Sequence, residues 1–149
     1  LQVTGDRLQT QEIKKVMKKF VGEIEQIPPS YSAIKVKGKK MYEAARAGKP
    51  IEAKPRQVRI DSFELVDYDW PELRTIIRCG SGTYIRALAR DLGNMLGVGG
   101  YVKELRRTKV GPFLISDTKT LEKLEHDIWP NFLIPVETAL KAIGTGKSS

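Results

Sequence analysis

Along residues 10–20, apolar side chains recur at Ile13, Val16, Met17 and Phe20, while Lys14, Lys15, Lys18 and Lys19 fill the positions between them. This three-and-four spacing predicts an amphipathic helix with one buried face, capped by Thr10 and stopped by Gly22. Residues 58–68 alternate between apolar and polar instead, and residues 73–79 form a second, more apolar run. With the acidic stretch 67–72 as the turn between them, the two runs predict an antiparallel hairpin. Helical periodicity returns over residues 83–96 at Ile85, Leu88, Ala89, Leu92 and Leu96, and it ends at the turn Gly97-Val98-Gly99-Gly100. Residues 101–110 read as a further strand, and 120–125 and 135–143 as short helices, the last opened by Pro135. The expected class is α+β: a mixed, mainly antiparallel sheet with packed helices.

Between the first helix and the hairpin the pattern breaks. Pro28-Pro29 forces an extended path. Residues 31–37 could form a short strand and 39–47 a short helix ended by Gly48, with Pro50 and Pro55 punctuating the return. From Ser30 to Arg59 there are nine cations (Lys35, Lys37, Lys39, Lys40, Arg46, Lys49, Lys54, Arg56, Arg59) against Glu43 and Glu52, so +7 of the chain's +8 lies in this segment. Such a concentration is the electrostatic footprint of a polyanion partner, with Tyr31 and Tyr42 available for stacking on bases. The plain alternative is a solvated loop. With few apolar residues, the segment reads as an arm that orders on its partner.

Arg86 is the chemically telling residue. It falls in the first turn of the 83–96 helix, with Ser81 or Thr83 as the expected cap, where backbone N–H groups already present partial positive charge. A carboxylate or phosphate nearby would relieve the repulsion, and the guanidinium fork suits either. A solvated surface arginine is the alternative. At about 100° per residue Arg86 sits on the shoulder of the apolar stripe, with Tyr84 on the other shoulder, a cation and a ring suited to a phosphate and its base.

Composition excludes other chemistries. The 149 residues, 40% hydrophobic and without a long charge-free apolar run, suit one soluble domain, or one domain with an excursion. Cys79 and His126 stand alone, which leaves no zinc set and no internal disulfide and is compatible with a cytoplasmic location. Gly80-Ser81-Gly82-Thr83 lacks phosphate-loop spacing and reads as a turn, and residues 144–149 read as a frayed, disordered tail. Leu105-Arg106-Arg107 admits two readings, an amphipathic strand or a contact with a nucleic-acid backbone.

Three blocks in order, QIPPSYSAIKVKGKKMYEAARAG (26–48), CGSGTYIRALARDLG (79–93) and LGVGGYVKELRRTKVGPF (96–113), resemble the tRNA pseudouridine synthase B family in its bacterial form. The resemblance extends over residues 9–142. It implies isomerisation of a uridine in the T-arm loop of tRNA by base flipping, without a cofactor or metal. It implies further that residues 30–59 are an RNA-gripping insertion, with Tyr31, Lys35, Lys39 and Lys40 on the substrate side. In the same reading Arg86 pairs with the catalytic carboxylate, Tyr84 lines the pocket, Leu105 is the apolar wall under the flipped base, and Arg106 and Arg107 meet the RNA. In that family the nucleophilic aspartate lies in an amino-terminal Leu-Asp-Pro motif, and a second pocket tyrosine lies in a Lys-x-Tyr strand. This sequence carries neither in that context, and Asp6, Asp61, Asp67, Asp69, Asp91, Asp117 and Asp127 sit in other surroundings, Asp91 reading as structural.

The expectation is therefore a carboxyl-proximal part of a catalytic domain (residues 1–143), inactive alone and prone to self-association through uncovered apolar surface. The small additional RNA-binding domain that many family members carry at the carboxyl end is not expected in these residues. A non-catalytic RNA-binding module on the same scaffold remains the competing reading.

Overall fold

The computed structural model describes residues 7–29, 35–36, 39–40, 46–47, 54–126 and 133–144. The chain forms two compact units, Leu1–Lys103 and Glu104–Ser149.

The first unit is built on a three-stranded antiparallel sheet. Helix α1 (Thr10–Lys18) leads into β1 (Gly22–Gln26), and β1 pairs with the long β4 (Arg56–Asp69), which in turn pairs with β5 (Glu72–Cys79) in the order β1-β4-β5. Helix α2 (Ile85–Met95) follows. The lysine-flanked face of α1 is buried as the spacing requires: Ile13, Val16, Met17 and Phe20 join Ile60 of β4 and Leu88 and Leu92 of α2 in one core. Phe20 meets Phe63 edge to face, with ring centroids 6.3 Å apart. Ala87 is also fully buried, so the core-facing stripe of α2 is set on Ala87, Leu88 and Leu92, with Ala89 only half-buried.

Strand β4 shows how sequence spacing handles a long strand. Its inward residues are Val58 and Ile60, then Phe63 and Leu65, then Tyr68, with gaps of three at two places. A strict two-residue alternation would turn the later ones to the wrong face. The register shifts between Ile60 and Ser62 and again between Leu65 and Asp67, each adding a residue to β4 and returning the apolar side chains to the core. The 67–72 turn of the hairpin is present at Trp70-Pro71.

Several local expectations are corrected. Thr10 is the first helical residue and not the cap; Gln9 holds that position in extended geometry without a side-chain cap bond. Gly22 (φ 111°) does not merely stop α1 but starts β1, a strand absent from the sequence reading. Within the arm, Lys35–Val36 (β2) pairs antiparallel with Lys39–Lys40 (β3), so residues 39–40 open as strand and not as helix; the rest of the expected 31–37 strand and 39–47 helix lies largely outside the described residues. The Gly97 turn is a Schellman close. Gly97 (φ 74°) donates to Asn94 O at 3.1 Å and Val98 donates to Gly93 O at 3.0 Å, satisfying two of the carbonyls left open at the end of α2. The turn then packs back on the helix so tightly that a Cβ on Gly93 would clash with the Gly99 carbonyl.

The second unit is slighter. Of the expected 101–110 strand only β6 (Lys109–Val110) forms, paired with β7 (Phe113–Leu114) across Gly111-Pro112; residues 104–108 run without regular structure. Helices α3 (Leu121–His126) and α4 (Val136–Gly144) match the two expected short helices to within a residue or so. The tail beyond 144 lies outside the described residues.

Candidate functional site

The site begins with the start of α2. Its cap is Tyr84, extended at φ −98°, ψ 105°, and neither Ser81 nor Thr83 caps it; the Thr83 hydroxyl turns back to donate to Gly80 O at 3.0 Å. The capping contact comes from 58 residues upstream. Gln26, the last residue of β1, accepts from the Tyr84 N–H through Oε1 at 2.8 Å and donates to Tyr84 O through Nε2 at 3.1 Å. Tyr84 O also receives the first intrahelical bond, from Leu88 N–H at 3.0 Å. A helix start leaves its first N–H groups without intrahelical partners, and the Gln26 amide supplies one from the sheet. Gln26 is 1% exposed, the single buried polar or charged side chain among the described residues.

Arg86, two residues on, is exposed in the first turn, and that turn carries no acidic residue. A cation here opposes the positive end of the helix dipole, so the position favours an anion in front of it. One turn further, Arg90 holds Asp91 through Nε–Oδ1 at 2.8 Å and Nη2–Oδ2 at 3.2 Å, and the same Nη2 donates to Ile27 O at 3.1 Å. Asp91 thereby orients the guanidinium that ties α2 to residue 27.

These contacts meet at the root of the basic arm. Gln26, where the arm departs, and Arg56, where it returns, are register partners in the β1–β4 pair. The arm therefore leaves and re-enters the sheet at one point, and that point is hydrogen-bonded to the residue next but one before Arg86. Lys35 is the register partner of Lys40, and Val36 of Lys39. Tyr31 lies outside the described residues. Arg59 pairs with Asp61 at 2.9 Å, which engages one of the nine cations.

Of the remaining expected residues, Tyr84 is half-buried. Leu105 (62% exposed), Arg106 and Arg107 fall in the irregular 104–108 stretch of the second unit, so the amphipathic-strand reading is corrected. Gln26 and Arg90 went unrecognised in the sequence. Among the described residues no cluster of His, Cys, Asp and Glu could hold a metal, and no helix is long and apolar enough to cross a membrane.

The family model described as TruB family pseudouridylate synthase (N terminal domain) matches residues 2–85, and that of the tRNA pseudouridylate synthase B C-terminal domain matches residues 86–141. The two models thus meet at Arg86. A tRNA pseudouridine synthase B of Pseudomonas fluorescens Pf-5 is 43% identical over 150 residues, covering 91% of this chain and 49% of the relative. One from Aromatoleum aromaticum is 49% identical over 113 residues, covering 76% of this chain and 37% of its own. The chain thus spans about half the length of the first of these relatives. Among solved structures, a Cbf5–Nop10–Gar1 complex contains a chain that matches with a TM-score of 0.66 at 31% identity, over 94% of this chain and 38% of that one. A chain of an H/ACA ribonucleoprotein bound to a substrate RNA containing 2'-deoxyuridine matches at 0.62 and 27%, over 91% and 35%. With a family model over more than half its residues and close relatives over nine-tenths of them, the chain belongs to the TruB family of pseudouridylate synthases.

Proposed function

We propose that this chain is the carboxyl-proximal part of the catalytic domain of a tRNA pseudouridine synthase acting on a uridine in the T-arm loop. The reaction breaks the bond between N1 of the base and C1' of the ribose, rotates the base, and joins C5 to C1'; C5 loses a proton, N1 gains one, and atoms balance without a cofactor. Its family's carboxylate nucleophile needs a cation to hold it ionised and aimed, and Arg86, with its fork at a helix start, is suited to that role. Tyr84 lines the pocket beside it. The basic arm grips the RNA backbone through Lys35, Lys39, Lys40 and Tyr31, and its binding energy offsets the unstacking of the flipped base. In the same reading Leu105 underlies the flipped base and Arg106 and Arg107 contact the RNA. Such work on tRNA belongs in the cytoplasm, and the apolar surface left uncovered in the chain alone supports self-association.

The observation that carries this reading is the Gln26 link, which joins the arm's root to the residue two before Arg86. Fusing the chain behind the amino-terminal half of the Pseudomonas relative tests it. The fusion should release tritium from C5-labelled uridine in tRNA, the chain alone should not, and Arg86→Ala should abolish release while tRNA affinity stays within about threefold. A folded fusion that binds tRNA without turnover would make the chain an RNA-binding module instead.

A further inference from the structure

We infer that Gln26 is a positioning residue for Arg86: its buried carboxamide fixes the first turn of α2 from the sheet, so that the arm's root and the arginine hold one geometry. The inference rests on the reading of Arg86 given above, but the physical case is separate. A buried amide costs free energy unless its hydrogen bonds are made, and an apolar side chain of equal volume would serve the core at least as well. What the amide adds is direction. Its acceptor and donor engage the N–H and C=O of a single residue, Tyr84, and two bonds to one peptide position leave that residue little freedom to rotate.

The surroundings make Tyr84 a sensitive place to hold. Its carbonyl starts the helical ladder through Leu88, so the direction of the whole first turn follows from its orientation. The Gly80–Thr83 approach contributes no side-chain cap: Gly82 sits at φ 82° and the Thr83 hydroxyl is turned back to Gly80. Arg90 adds a second tie, from its Nη2 to Ile27 O, one residue beyond Gln26. The chain immediately before Pro28-Pro29 is thus fastened to α2 at both its first and second turns. A load on the arm when RNA binds is transmitted to the arginine's helix through these two contacts, and in return the helix keeps the arm's departure point fixed.

The test uses Gln26→Met, which keeps the volume and removes both bonds, and Gln26→Glu, which keeps the acceptor for the Tyr84 N–H. In the full chain, Tyr84 amide exchange should quicken by about tenfold or more in Gln26→Met, with amides of α1 and β4 unchanged, while Gln26→Glu, which keeps the acceptor for the Tyr84 N–H but loses the donor to Tyr84 O and buries a charge, should fall between the two. In the active fusion, Gln26→Met should lower kcat by about 10- to 100-fold, the loss expected from an ångström of misplacement, with KM for tRNA within about twofold, and Gln26→Glu, with one of the two bonds kept, should recover only part of kcat. Unchanged Tyr84 exchange, an equal quickening throughout α1 and β4, or an unchanged kcat would each overturn the inference, the second by making Gln26 a plain stability residue. If the fusion bearing Gln26 shows no turnover, the functional reading fails, and the exchange experiment alone decides whether Gln26 fixes the helix start.

Discussion

Helices α1 and α4 are both nine residues long and both carry apolar stripes, yet they meet opposite fates. In α1 the stripe Ile13, Val16 and Met17 is buried against β4 and α2. In α4 Val136, Leu140 and Ile143 recur at the same helical intervals and all remain exposed. The contrast extends to the units that hold them. Every buried hydrophobic side chain among the described residues lies in Leu1–Lys103, and none lies in Glu104–Ser149. An amphipathic period says which face of a helix asks for cover; it does not say what covers it. The first unit supplies that cover from its own sheet. Its arrangement is consequently what gives Gln26, Tyr84 and Arg86 a fixed relation.

Core truncation should break this contrast most sharply. Leu88→Ala removes a fully buried side chain shared by α1, β4 and α2 and should cost about 2–5 kcal/mol in urea unfolding, whereas Leu140→Ala should change stability by no more than about 0.5 kcal/mol. Comparable losses at the two leucines would show that the second unit has a core of its own. Gly93→Ala comes next. The added methyl meets backbone at the Gly99 carbonyl, not a flexible side-chain end, so about 1–3 kcal/mol should be lost and the 97–100 turn displaced, visible as shifted amide resonances there. A neutral Gly93→Ala would mean that the turn does not pack on α2.

How much of this was legible follows from how local each determinant is. α1, the β4–β5 hairpin and α2 were readable because each declares itself within a dozen residues by period and turn chemistry. The three-residue gaps Ile60–Phe63 and Leu65–Tyr68 also announced the bulges of β4, had the lost alternation been taken as signal. β1 was not readable, because Gly-Glu-Ile-Glu-Gln offers one apolar residue and its pairing with β4 spans the whole arm. For the same reason the cap of α2 was misassigned: Thr83 stands at the expected position, but the bond comes from Gln26, and no local rule reports a partner 58 residues away. Residues 101–108 failed as a strand because alternation there found no neighbouring strand among the described residues, only the two-residue β6–β7 pair. For the site, the charge of the arm and the position of Arg86 were visible in the sequence, while the join between them was not.

Smaller effects sharpen the comparison. Amides of β4 and β5 should exchange slowly and those of α4 at nearly unfolded rates, since opening a segment without buried side chains costs little. Protection of α4 equal to that of β4 would contradict the contrast between the units. Least of all should come from Lys103→Ala. It removes the exposed pair with Glu72 and should shift stability by less than about 1 kcal/mol, a shift that added salt should shrink further.

Because residues 26 and 56 face each other across two neighbouring strands, everything between them is, to the sheet, a detachable attachment. Its length and sequence can change without moving a single ladder bond of β4 or β5, as the closure cost of a loop grows only with the logarithm of its length. Replacing residues 28–54 by a short Gly-Asn turn should leave a folded sheet and helix pair stripped of most of its positive charge. Such an arrangement lets the arm change while the framework underneath stays as it is.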